Sequence, residues 1–220
     1  MLHSIVDQLD PRDLDPTAFL DRIESLGQSA EAGRRLMARV VGAGVFSRRE
    51  LNQRHRIGRT LCDAMGDLPR LRLVDSVVSP VDGFRKLAFE TSDSLVIETV
   101  LIPLHKPGAV SVCLSSQVGC VMGCTFCATA RMPARRNLAT WEIVGQLIQA
   151  RAWAESEGRR VTGAVFMGMG EPFLNYDRTL AAAEIMSAPF GAAISGPAIT
   201  ISTVGLVPEI DRFTRERRRF

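Results

Sequence analysis

The spacing of apolar residues changes twice along the chain. Between residues 12 and 67 it follows a helix: Phe19, Leu20, Ile23 and Leu26 recur at helical intervals. Asp15-Pro16 ahead of them predicts an N-cap followed by proline in the first turn, and Gly27 predicts the stop. Further helices are predicted over residues 30–41, 47–54 and 58–65, the first of them turning Leu36, Val40 and Val41 inward. Cys62 falls in the last as a small buried core residue. Residues 71–104 change period. Strands are predicted over 71–78, 83–90 and 95–102, with turns at Pro80-Val81-Asp82-Gly83 and Thr91-Ser92-Asp93-Ser94. These form a small antiparallel meander.

From about residue 108 strands and helices alternate. Strands are predicted over 110–114, 161–167 and 199–203. The run at 161–167 is continuously apolar, as in a parallel strand buried on both faces. Thr140 is placed as the cap of the first intervening helix, with Glu142 in its first turn and Ile143, Val144, Leu147 and Ile148 as its apolar stripe. Two more helices are predicted, over 177–186 and from 208 to 213. Such repeats imply parallel β/α units. The chain therefore reads as α/β: a small helical accessory domain over 1–70, an antiparallel β meander over 71–107, and a partial parallel (β/α) barrel over 108–220. A full eight-unit barrel takes about 250 residues, so the short barrel predicts that the sequence is a fragment of a longer protein.

Composition supports a packed core, with 46% hydrophobic and 23% charged residues. No apolar run approaches the ~20 residues of a membrane span. Glu98 interrupts the most hydrophobic strand. The first ten residues lack the basic start and apolar core of a signal peptide. Five cysteines, odd in number and clustered, do not form a secreted disulfide framework. The expectation is a cytoplasmic protein with no membrane partner. Net charge is +3, and Lys86 and Lys106 are the only lysines, so nearly all positive charge is arginine. Arginine suits bidentate phosphate contacts. Arg131, Arg135 and Arg136 lie together, and Arg215, Arg217, Arg218 and Arg219 end the chain. A solvated basic face and a nucleic-acid-binding face both account for them.

The chemistry concentrates at Cys120, Cys124 and Cys127, a CxxxCxxC spacing. Iron–sulfur clusters normally take four thiolates. Three on one tight loop hold three corners of a four-iron cube and leave one iron open to a substrate. Gly119 and Gly123 relax the backbone around Cys120. Zinc is the alternative metal, but a structural zinc wants four protein ligands. The nearest further donors, His105 and Cys113, lie upstream, and no second CxxC follows. Three structural thiols packed as small hydrophobes are the remaining reading. Parallel α/β folds gather ligands at the C-terminal ends of their strands. The cysteine loop, Gly168-Met169-Gly170-Glu171 and Ser202-Thr203-Val204-Gly205 are all predicted there. Glu171 offers an acceptor for a ligand ammonium group, and Ser202 offers a hydroxyl.

These residues resemble the radical S-adenosylmethionine superfamily. Further matches narrow the resemblance: Cys113-Leu-Ser-Ser-Gln-Val-Gly-Cys120, Phe126-Cys127-Ala-Thr, Arg136-Asn137-Leu138, Glu142-Ile-Val-Gly-Gln146, Gly168-Met-Gly-Glu-Pro172, Asn175-Tyr176 and Ser202-Thr203-Val-Gly205. Together they are similar to the RNA methyltransferases that act on C2 of an adenosine in 23S ribosomal RNA and in some transfer RNAs, whose sister group methylates C8. The resemblance covers about residues 70–213 and is looser for the helical N-terminus. It implies a [4Fe-4S] cluster whose open iron chelates S-adenosylmethionine through its amino and carboxylate groups. One electron, from a reductant such as flavodoxin, cleaves the cofactor to a 5′-deoxyadenosyl radical. In the family a first cofactor methylates a cysteine near the C-terminus, and the carbon radical made from that methyl group adds to adenine. By the same resemblance Cys113 matches the second catalytic cysteine and Glu98 a proton acceptor. Gly170, Glu171 and Ser202 match cofactor contacts, and Cys120, Cys124 and Cys127 the cluster ligands. Two departures stand out. No cysteine follows Cys127, and Ala130 and Met132 stand where the family has glycine-containing sequence. A radical enzyme with another acceptor and an RNA- or ribosome-binding remnant with a structural cluster are the competing readings.

Overall fold

The computed structural model describes residues 8–133 and 135–220. Residues 1–7, on which the signal-peptide reading largely rests, lie outside them. Four short helices come first: α1 (Pro16–Ser25), α2 (Ala30–Met37), α3 (Arg48–Gln53) and α4 (Arg59–Met65). The Asp15 carboxylate accepts hydrogen bonds from the Thr17 and Ala18 amides at 2.9 and 3.0 Å, so α1 starts where the cap residue and Pro16 predict. The expected helix over 30–41 instead changes pitch. After Met37 it widens into a π-helical turn, Ala38–Gly42, which still buries Val40 and Val41.

The strands β1 (Arg72–Val78), β2 (Arg85–Glu90), β3 (Val96–Pro103), β4 (Ala109–Cys113), β7 (Arg160–Phe166) and β8 (Ile199–Ile201) form one six-stranded sheet in the order β1-β2-β3-β4-β7-β8. The pairings from β1 to β4 are antiparallel, and β4-β7-β8 are parallel. The meander is thus hydrogen-bonded directly onto the parallel strands. A ribbon of two residues per strand, β5 (Gln117–Val118) with β6 (Arg136–Asn137), forms a separate antiparallel pair. No periodicity in two residues could have announced it.

Register gives the sheet two unlike faces. Leu101, Val112, Ala164 and Ile199 stand in one row, and all are buried under the helices. One residue along, Lys86, Val100, Cys113, Val165 and Thr200 form a row on the opposite face. Successive strand residues point to opposite faces, so Glu98, two before Val100, shares the face of Cys113.

Helix α5 (Thr140–Ser156) packs on the buried face with α6 (Tyr176–Ser187), and α7 (Val207–Glu216) follows β8. The predicted stripe Ile143, Val144, Leu147 and Ile148 is buried. Thr140 is not the cap; it is the first helical residue, and Ala139 precedes the helix. Alanine has no side-chain acceptor, so only the reciprocal capping bond is made: the Glu142 carboxylate accepts from the Ala139 amide at 2.8 Å. The N-terminal helices are locked on through Arg12. It is fully buried, paired with Asp10, donates to the Pro69 carbonyl at 2.8 Å, and lies 5.0 and 5.2 Å from the ring centres of Phe46 and Trp141. One apolar core runs from Phe19 and Leu36 through Leu87 and Ile97 to Ala183. Among the described residues no helix is long and apolar enough to cross a membrane.

Candidate cofactor-binding site

The cysteine loop leaves the C-terminal end of β4 and is pinched at its base by the β5–β6 ribbon. Gly119 and Gly123 take φ values of 76° and 65°, a region that glycine enters without strain, and they turn the chain on either side of Cys120. The three cysteines are half-buried, while Val121 and Phe126 between them are exposed, Phe126 by 92%. Residues 114–139 contain no Asp or Glu. Nothing anionic inside the loop therefore competes with thiolates for a cationic core. The Ala130 amide hydrogen-bonds the Cys127 sulfur and lowers its thiol below the usual range, favouring the ligand form. The described residues contain no group of three His, Cys, Asp or Glu side chains already gathered for a metal ion. The fit to an iron–sulfur core therefore rests on the donor set and its surroundings.

Beneath the loop lies a continuous polar framework. Gln146, wholly buried on α5, accepts from the Thr99 hydroxyl and the Ser115 amide, both at 2.9 Å, and donates to the Ser115 carbonyl at 3.0 Å. The Ser115 hydroxyl donates to the Glu98 carbonyl at 2.6 Å and accepts from the Met169 amide at 2.9 Å. Gln117 donates to the Asn137 side chain at 2.7 Å and accepts from the Glu171 amide at 2.8 Å. Asn175 donates to the Ser116 and Leu138 carbonyls at 2.8 and 2.9 Å. The loops after β4 and β7 and the return strand β6 are thereby bound together. Satisfied buried networks of this kind hold one conformation.

Arg136 closes the framework on its outer side. Its guanidinium donates two bonds to Asp93 and two to the buried Glu142, all at 2.7–2.8 Å. The pairing raises the already high Arg136 pKa and holds the Asp93 carboxyl well below the usual range. Arg136 is thus not a free phosphate ligand. Arg218 is likewise paired, with Glu184 and Glu216. Arg131, Arg135, Arg215, Arg217 and Arg219 make no ion pair with a described residue.

The other sequence-predicted residues divide. Cys113 ends β4, buried, and burial pushes its thiol up. Glu98 is half-exposed on the same face, its carboxylate accepting from Lys86 Nζ at 2.8 Å. Gly170, at φ 100°, packs so closely that an added Cβ would lie 2.6 Å from Gln117 Cβ. Glu171 differs most from expectation. It is buried, and its two oxygens accept from the Phe173 amide at 2.9 Å and the Val204 amide at 2.8 Å. In the structure it staples the β7 loop to the β8 loop. β8 ends at Ile201, short of the predicted Thr203, so Ser202 lies just past its end, exposed. Sequence reasoning found the framework amides Gln117, Asn137, Gln146 and Asn175 within matching motifs but gave them no role.

A profile described as the Radical SAM superfamily matches residues 114–218, the cysteine loop through α7. This segment belongs to the radical SAM superfamily. A probable RNA methyltransferase of Myxococcus xanthus is 42% identical over 194 residues, 87% of this chain and 53% of that protein. A dual-specificity RNA methyltransferase RlmN of Syntrophobacter fumaroxidans is 39% identical over 194 residues, 88% of this chain and 56% of that protein. The chain thus spans a little over half the length of these curated relatives. A radical SAM methyltransferase from Sphaerobacter thermophilus, whose crystal structure is known, superimposes with a TM-score of 0.81 at 35% identity. That match covers 94% of this chain and 60% of the other. The radical SAM segment starts where β4 meets the cysteine loop, with the meander and helices built onto its leading edge.

Proposed function

We propose that this chain is part of a cytoplasmic radical S-adenosylmethionine enzyme that methylates an adenosine of RNA, at C2 in 23S ribosomal RNA and in some transfer RNAs. The observation that carries the reading is the shared face of the sheet. Glu98 and Cys113 project from it, and the three loops that carry Cys120–Cys127, Gly168–Glu171 and Ser202 leave the C-terminal ends of its parallel strands. The names of the relatives support the same substrate class.

Cys120, Cys124 and Cys127 would hold a [4Fe-4S] cluster, which with S-adenosylmethionine supplies one-electron cleavage chemistry. The polar framework fixes the base of that loop, so binding energy is not spent on ordering it. Gly170 and Ser202 lie at the strand ends where the cofactor would sit. Glu171 acts there by holding the β7 and β8 loops together. Cys113 Sγ keeps its proton at neutral pH because burial disfavours the thiolate. Glu98 presents a carboxylate, held by Lys86 Nζ, as a proton acceptor on the same face. Arg131 and Arg135, beside the loop and without carboxylate partners among the described residues, suit RNA phosphates. A reductant such as flavodoxin would supply the electron.

The test is an electron paramagnetic resonance spectrum of anaerobically reconstituted, dithionite-reduced protein, with and without S-adenosylmethionine. A four-iron signal that shifts on adding the cofactor is expected. A folded protein that binds no cluster overturns the reading.

A further inference from the structure

A cavity lies on the opposite side of the sheet from Glu98 and Cys113. It is about 420 Å³ in volume and sits where the helical N-terminus, the meander and α5 meet. That is within the range of small-molecule sites, which favour such junctions. Phe46 and Phe89 line it almost fully buried, Trp153 is partly exposed with the Arg85 guanidinium 5.0 Å from its ring centre, and Gln149, Arg70 and Arg151 give it polar groups.

Those polar groups have spare capacity. The Gln149 amide is half-buried and makes no hydrogen bond with a described residue. Arg151 donates to the Val41 carbonyl, forms no ion pair with a described residue, and burial lowers its pKa. Glu155, also on the lining, is the acid that acts on it electrostatically, without reaching contact. A guanidinium withdrawn from water with no paired anion favours an incoming one. Arg70 is exposed at the rim with its guanidinium 4.5 Å from the centre of the Phe46 ring. Two cations, one partly exposed indole and one unpaired amide match a ligand with an anionic group, an aromatic ring and a hydrogen-bonding edge.

We infer that this cavity binds a nucleoside 5′-monophosphate unit, its base beside Trp153 and its phosphate at Arg70 and Arg151. The unit is either a free mononucleotide or an unpaired nucleotide of an RNA strand; the binding chemistry is the same. The inference does not depend on the reaction proposed above, because no residue of the cysteine loop lines the cavity.

Trp153 is the natural reporter. The chain has two tryptophans, and Trp141→Phe leaves Trp153 alone, with an aromatic ring still available to Arg12. In that background the full chain is titrated with adenosine and uridine 5′-monophosphates, adenosine, inorganic phosphate and a short single-stranded oligoribonucleotide. Saturable quenching by the monophosphates is expected, with affinity about tenfold lower in Arg151→Met, the scale of one lost charge-assisted contact. Arg70→Ala, at an exposed site that leaves the fold intact, should weaken it in the same direction. An oligoribonucleotide that binds more tightly than the monophosphate identifies RNA as the source. A monophosphate that the oligoribonucleotide does not displace identifies a free nucleotide. Three results overturn the inference: no saturable change up to about 10 mM ligand, beyond the weakest useful affinities; inorganic phosphate binding as well as the nucleotides; or affinity unmoved by both arginine substitutions.

Discussion

The cysteine loop and the framework it stands on are neighbours in sequence and opposites in physical character. Residues 120–133 are half-buried or exposed, with hydrogen bonds mostly from one residue to another three along. Residues 114–118, with Gln146, Glu142 and Asn175, are buried, and nearly every polar group has a named partner. The Ser116 hydroxyl is the exception among them. Folding energy has been spent on the base, and the rim is left with donors that lack partners of their own. The fold thus builds the seat and leaves the ligand to complete the rim. If so, substitutions in the base should cost stability, and substitutions in the rim should cost ligand binding alone.

The largest expected effect is Gly170→Ala. The new Cβ would stand 2.6 Å from Gln117 Cβ and 2.7 Å from its amide nitrogen, at a φ of 100° that L-residues rarely adopt. Backbone cannot yield cheaply, so a loss of about 4 kcal/mol in urea unfolding is expected. Next comes Gln146→Ala. It strands the Thr99 hydroxyl and both the amide and the carbonyl of Ser115 in a dry site. Unmet buried groups cost about 1–3 kcal/mol each, and partial relaxation should hold the total near 3 kcal/mol in the same assay.

These two residues also mark how far the sequence could be read. The succession of the longer strands along the chain and the placing of the cysteine loop at a strand end were legible, because apolar period and glycine position are local signals. So was the α5 stripe, from Ile143 to Ile148. The framework was not, because a hydrogen bond from Gln146 to Ser115 spans 31 residues and leaves no periodic trace. Arg136 reads like its neighbours Arg131 and Arg135, and the approach of Asp93 from the β2–β3 turn and of Glu142 from α5 gives it a different role. Glu171 was read as an open acceptor for the same reason, since the Val204 amide that occupies it comes from a later loop.

Arg136→Met tests the outer edge of the framework. Solvent screens the partly exposed Asp93 pair, but the buried Glu142 loses its cation as well, so a loss of about 2–3 kcal/mol is expected. The pH dependence separates this pair from ordinary packing. Arg136, with a smaller share from Thr91, depresses the Asp93 carboxyl below its unfolded range. Its stabilisation is therefore present above about pH 4 and is lost as pH falls through the depressed folded value. In Arg136→Met the Asp93 carboxyl, followed by carbon NMR, should titrate nearer the ordinary range. An unchanged titration would mean that the pair is not formed in solution.

The smallest effect on stability should come from the loop itself. Cys124 lies on the half-buried rim, and truncating it to Ala removes no described hydrogen bond from its side chain. Unfolding free energy without metal should move by no more than about 0.5 kcal/mol, as for surface substitutions generally. The same change removes one thiolate of three, and the broad visible absorption of a reconstituted iron–sulfur cluster should be lost with it. The two measurements together decide between seat and rim. If Cys124→Ala destabilises the metal-free chain as much as Gln146→Ala does, the cysteines are core thiols and the loop belongs to the framework. If stability is untouched and iron is lost, the chain has divided its labour as the hydrogen bonds suggest. The cost of ordering the base was then met in folding, and the ligand has only to draw the three sulfurs of the rim together.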